Sequence, residues 1–86
     1  MHEMSVALEV CSIAERHAPG GQLADVVGVG VEVGCDSGVE ASNLEFWLQI
    51  LLSSPPYKAA KPVVTQVPGG DLRVTYLEVV DGRPDN

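Results

Sequence analysis

Between Asp25 and Val33 the chain alternates Val27, Val29, Val31 and Val33 with Gly28, Gly30 and Glu32. Four β-branched residues at period two fit one face of a strand, whereas a helix would scatter them around its circumference. The segment therefore predicts a strand with one valine face to bury and one face almost without side chains. That glycine face either admits a close-packed neighbour or lies open to solvent.

The elements around this strand follow from spacing. Upstream, Ser5, Glu9, Ser12 and Arg16 form the polar stripe of a helix from Met4 to His17. Met4, Ala7, Leu8, Cys11 and Ala14 fall on the other side and are expected to face the core. Pro19, Gly20 and Gly21 stop the helix. Downstream, a turn covers Gly34 to Gly38, and Ser37-Gly38-Val39-Glu40 matches a capping box that opens a second helix running to about Ser53. Leu44, Trp47, Leu48 and Leu51 form its expected buried stripe, flanked by Phe46 and Ile50, and Pro55-Pro56 lies just past its end. The last third reads as a hairpin of Pro62–Val67 and Asp71–Val80, joined by Pro68-Gly69-Gly70. Pro62 is expected at a strand start or on an edge. The order helix, strand, helix, strand, strand predicts an α+β fold, a three-stranded sheet with two helices packed on one face. Residues 1–80 form a single domain in this reading, and 81–86 form a flexible polar tail.

Composition narrows the function. At 86 residues with 45% apolar content, the chain suits one small folded domain. A net charge of −7 argues against nucleic acid and favours a metal cation or a basic partner surface. No apolar run approaches a membrane span, and the N-terminus lacks the basic and apolar regions of a signal peptide. The expected location is cytoplasmic, with reduced thiols. Cys11 and Cys35 are too far apart for a C-x-x-C zinc pair. Cys11 falls on the core stripe, and Cys35 is expected to be a small, partly buried filler rather than a thiolate ligand. His17 suits a cation at a helix C-terminus, and Glu40 suits the capping box. No Ser-His-Asp arrangement is available, and Gly28-x-Gly30 sits inside a strand rather than before a helix, so no enzyme is expected.

The N-terminus carries metal chemistry. A free α-amine, the following backbone amide nitrogens and the His2 imidazole can close small chelate rings around one ion. Planar nitrogen donors suit Ni(II) or Cu(II). Glu3 adds a backbone amide and a nearby negative charge. On its own a histidine at position two is an ordinary surface residue, so the remainder of the chain has to decide.

It does so through an ordered set of segments. Met1-His2-Glu3-Met4-Ser5 resembles the start M-H-E-L/M-S of the HypA family of hydrogenase nickel chaperones. Val31-Glu32-Val33-Gly34 followed by Ser37-Gly38-Val39-Glu40 resembles the family's strand, glycine and second-helix start. Leu44 to Phe46 is similar to its helix segment, and Leu72 to Val79 resembles its closing strand. The resemblance implies a nickel metallochaperone for nickel–iron hydrogenase maturation, with the metal held at Met1, His2 and Glu3. It implies a hydrogenase large subunit or a HypB-like GTPase as partner. It also implies two helices against a three-stranded sheet. Family members carry a zinc domain with two C-x-x-C motifs between the last two strands. This chain has Pro68-Gly69-Gly70 there, so no zinc is expected. Ala41 stands where the family often has proline. The alternative is a HypA-like interaction module that docks a hydrogenase or maturation protein without delivering metal.

Overall fold

The valine–glycine strand is the centre of the sheet. The computed structural model describes residues 3–18, 20 and 22–80. Among these the elements are α1 (Glu3–His17), a 3-10 turn at Leu23–Asp25, β1 (Val26–Gly34), α2 (Ala41–Leu52), β2 (Lys61–Val67) and β3 (Leu72–Val79). The sheet order is β2-β1-β3, with β1 parallel to β2 and antiparallel to β3. The fold is α+β, with both helices over the Val29, Val31 and Val33 face of β1. The residues expected to form a tail, 81–86, lie outside those described.

The expected hairpin is not formed. β2 and β3 flank β1 instead of pairing with each other. The strand–helix–strand order of β1, α2 and β2 brings the chain back parallel, because the helix supplies the crossover that a parallel pair needs. β3 then returns antiparallel on the free side of β1. Pro68 to Asp71 must therefore cross two strand spacings, about 10 Å, which four residues can span. The crossing lies over the end of β1. Three successive N–H groups of that end hold it: Gly34 donates to the Asp71 carbonyl at 2.7 Å, Cys35 to Val67 at 2.7 Å and Asp36 to Gly69 at 2.8 Å. A Cβ at Gly34 would collide with the Gly69 carbonyl oxygen. Glycine is thus required here by close approach rather than by turn geometry.

The valine pattern is displaced by one residue at its start. A register irregularity between Val26 and Gly28 turns Val27 outward and puts Val26 in the core. The glycine face does admit a neighbour, since Tyr76 of β3 lies across Gly30 and the Glu78 side chain lies beside Gly28. Tyr76 occupies space that any side chain at position 30 would need.

The helices are rotated from the expected faces. In α1, Ala7, Cys11 and Ala14 are buried as read, but Met4 and Leu8 are 45% and 51% exposed, and Val6 and Val10 take their place. The two alanines let the helix approach closely, so the buried arc centres on Ala7, Val10 and Ala14. Met4 and Leu8 fall on its flank. In α2 the fully buried residues are Leu44, Leu48 and Leu52, while Trp47 and Leu51 pack half-buried and Phe46 and Ile50 are exposed. The Phe46 ring meets Trp47 edge-on at 5.6 Å between centroids. Buried Tyr57, just after α2, donates its hydroxyl to the Cys11 carbonyl at 3.3 Å and pins this loop to α1. Burial pushes the Cys11 thiol and the Tyr57 phenol above their usual values, so both stay neutral. Cys11 is packing, as expected.

Gly34→Ala is expected to lower stability by about 1–3 kcal/mol, because backbone carbonyl atoms leave the new methyl nowhere to go. Gly30→Ala is expected to cost less, since the Tyr76 ring is half exposed and can swing aside. Urea midpoints of the two variants at unchanged slope check the ranking.

Candidate metal site at the N-terminus

Of the three expected metal residues, Met1 and His2 lie outside the described residues, and Glu3 opens α1. Its carboxylate accepts a hydrogen bond from the backbone N–H of Glu40 at 3.0 Å, 37 residues further along the chain. Glu40 is the last residue before α2. The start of α1 is therefore tied to the start of α2. Because Tyr57, beyond the other end of α2, reaches Cys11 in α1, the two helices run in the same direction.

The cap of α2 differs from the expected box. Ser37 is not the N-cap; its hydroxyl accepts from Val39 N–H at 3.2 Å within the preceding turn. Glu40 is the N-cap, and its own carboxylate accepts from Asn43 N–H at 2.9 Å and from the Ser42 hydroxyl at 2.8 Å. In an ordinary capping box the third helical residue reaches back to the N-cap N–H. That residue here is Asn43, and the role passes to Glu3. Two carboxylates thus satisfy donors at one helix start, where the helix dipole also favours negative charge. The hydrogen bonds from Ser42 and then Asn43 hold the Glu40 carboxyl below its usual value of 4.5.

The other candidates from the sequence lie apart from one another. Cys35 is exposed rather than a partly buried filler, because its turn is held by its backbone N–H and its thiol is not needed for packing. It shares a shallow depression with Glu40 and Gln66. His17 ends α1 and is exposed, at the helix end expected for it. Among the described residues no three His, Cys, Asp or Glu side chains converge. The tether from Glu3 to Glu40 was not visible in the sequence, because nothing local links positions so far apart.

Two parallel helices on one face of a three-stranded mixed sheet, with the N-terminal segment tied to the second helix, define a small two-layer α+β domain. The family model described as "Hydrogenase/urease nickel incorporation, metallochaperone, hypA" matches residues 1–73, and the chain belongs to this family. The hydrogenase maturation factor HypA of Geobacter metallireducens is 35% identical over 69 residues, covering 80% of this chain. The chain spans 60% of that relative's length. The solution structure of the Ni metallochaperone HypA from Helicobacter pylori matches with a TM-score of 0.74 at 18% identity, over 93% of this chain and 98% of that one, which shows the shared fold.

Glu40's depressed pKa has a signed consequence. Its contribution to stability is fully present above the usual carboxyl value of 4.5 and is lost as pH falls through the lower folded value. In a pH titration by NMR, the Asn43 amide is expected to shift with a midpoint below 4.5 and to lose that step in Glu40→Ala. A midpoint at or above 4.5 contradicts the cap.

Proposed function

We propose that this chain is a nickel metallochaperone that captures Ni(II) at its N-terminus and passes it on in nickel–iron hydrogenase maturation. The ligands are the Met1 amine, the His2 imidazole and the backbone amide nitrogens that follow, including that of Glu3. The observation that supports this best is the tether of the Glu3 carboxylate to Glu40 N–H. It leaves the Glu3 backbone as that residue's natural contribution to the metal and engages its carboxylate elsewhere. Glu3 is then a positioning residue, since its side chain anchors the start of α1 to α2 without touching the ion. Positioning groups around a metal commonly affect affinity nearly as much as ligands do.

Membership of the family supports nickel as cargo, as does the Helicobacter pylori structure, described as a Ni metallochaperone, and the name of the Geobacter relative supports hydrogenase maturation as the setting. The partner in this reading is a hydrogenase large subunit or a HypB-like GTPase. The chain acts by binding and hand-over and catalyses no reaction. Residues 1–80 act as the nickel-binding domain. In this reading the crossing at Pro68-Gly69-Gly70 takes the place of the zinc domain that the family resemblance implies, and the domain works without zinc.

Isothermal titration of Ni(II) is expected to give one site per chain. His2→Ala and N-terminal acetylation should each abolish it, as each removes a nitrogen donor. Glu3→Ala should weaken binding about tenfold, and Glu3→Gln, which keeps an acceptor for Glu40 N–H, should recover most of the loss. Unchanged binding after both His2→Ala and acetylation overturns this ligand set.

A further inference from the structure

The end of the domain where both helices begin carries a second feature that the metal reading does not use. Between α1 and the β2–β3 crossing lies an open cavity of ≈ 280 Å³, lined by Val6, Glu9, Ser37, Val39, Gly70 and Leu72. Val6 and Val39 are buried core residues, and Leu72 is half-buried against the same core, so the apolar lining is part of a packed and preformed wall. An apolar cavity of about 150 Å³ holds a benzene molecule. This one has room for one large apolar side chain.

Its surroundings specify charge. Glu3, Glu9, Asp36, Glu40 and Asp71 lie on the segments that meet at this end, and residues 3–9, 34–41 and 67–72 contain no lysine or arginine. The nearest cation in sequence, Arg73, is paired to Glu32 at 2.9 Å. The Glu9 carboxylate is exposed at the cavity wall and makes no ion pair among the described residues. An apolar hole with Glu9 in its wall, and with exposed Asp36 and Asp71 next in sequence to lining residues Ser37, Gly70 and Leu72, suits a ligand with the reverse pattern.

We propose that this cavity is a docking pocket for a basic segment of a partner protein, which inserts one large apolar side chain while flanking lysines or arginines face Glu9, Asp36 and Asp71. A second copy of this chain is the less favoured occupant, because each copy carries a net charge of −7 and would bring like-charged ends together. The proposal does not depend on the nickel reading, since the pocket contains none of its ligands and its test uses metal-free protein.

The probe is a synthetic capped peptide, Lys-Arg-Leu-Arg-Lys, titrated into ¹⁵N-labelled metal-free full chain. The amides of Val6, Glu9, Ser37, Val39, Gly70 and Leu72 are expected to shift together and saturate. Binding should weaken with added salt. Replacing the peptide leucine by glycine, or its cations by glutamates, should remove it. Glu9→Lys, an exposed substitution that leaves the core untouched, should weaken binding about tenfold or more by reversing the local charge. No saturable shift, shifts centred on the exposed Met4, Leu8, Phe46 and Ile50 or on the outer sheet face, or equal binding by Glu9→Lys each overturns the proposal. So does sedimentation showing that the metal-free chain self-associates, with the same amides shifting on dilution.

Discussion

The crossing of Pro68 to Asp71 over the end of β1 is the constraint on which the rest of this domain depends. A short link between two strands normally makes a hairpin. Here the link spans the strand between them, and it holds because three consecutive N–H groups at the end of β1 find carbonyls at Gly69 and Asp71 within it and at Val67 just before it. Gly34 makes the approach sterically possible. With β1 thereby central, its inward valines are the most deeply buried residues of the sheet, and β2 and β3 are left as edges whose Val64, Leu72, Val74 and Leu77 pack at the margin of the core. Their half-buried, half-exposed alternation is what an edge strand with one covered face should show. Lys61 and Pro62 at the start of β2 are residues that edges tolerate and centres do not.

The same end of the molecule is drawn together by a second interaction of different kind. Glu3 supplies to α2 the hydrogen bond that a local capping residue would otherwise provide. Helix caps are usually local because a nearby side chain loses little freedom in making them. A cap provided by the first turn of another helix instead links the two helices at their starts, and the Tyr57 hydroxyl on the Cys11 carbonyl links them again further along. The start of α1 is thereby anchored against the start of α2 by a contact that no local sequence pattern announces.

Much of this fold was legible in the sequence, and the failures share a cause. Periodicity located the strands, the first helix and the end of the second to within a residue or two, because burial on one face writes a pattern into adjacent positions, while the second helix starts three residues later than the Ser37 box implied. The family resemblance rested on local segments and was correspondingly secure. What failed was whatever depended on long-range placement. The Pro-Gly-Gly turn chemistry was real, but it could not say whether the joined strands were neighbours. The helix between β1 and β2 was the overlooked sign, since it calls for a parallel pair. The irregularity at Val26–Gly28 moved one valine out of the core, and no period-two pattern announces it. Ser37 had the right spacing from Glu40 for a box, yet the helix begins after Glu40 because a distant carboxylate satisfies the N–H that the box would have served.

These two constraints meet at one end, and that has a consequence for how the end can vary. The β1–β3 ladder reaches Val33 and Leu72, and the β1–β2 ladder reaches Gly34 and Val67. Residues 68–71 therefore lie outside both. About three fully extended residues span 10 Å, so a link of four has little slack to lose, but loop closure grows only slowly more costly as a link lengthens. Added chain at this point would leave the sheet intact while changing what lies next to Ser37, Val39 and Gly70. The short link keeps that wall open. The architecture thus separates a core that needs the crossing over Gly34 from a surface, beside the N-terminus, that the length of the crossing alone decides.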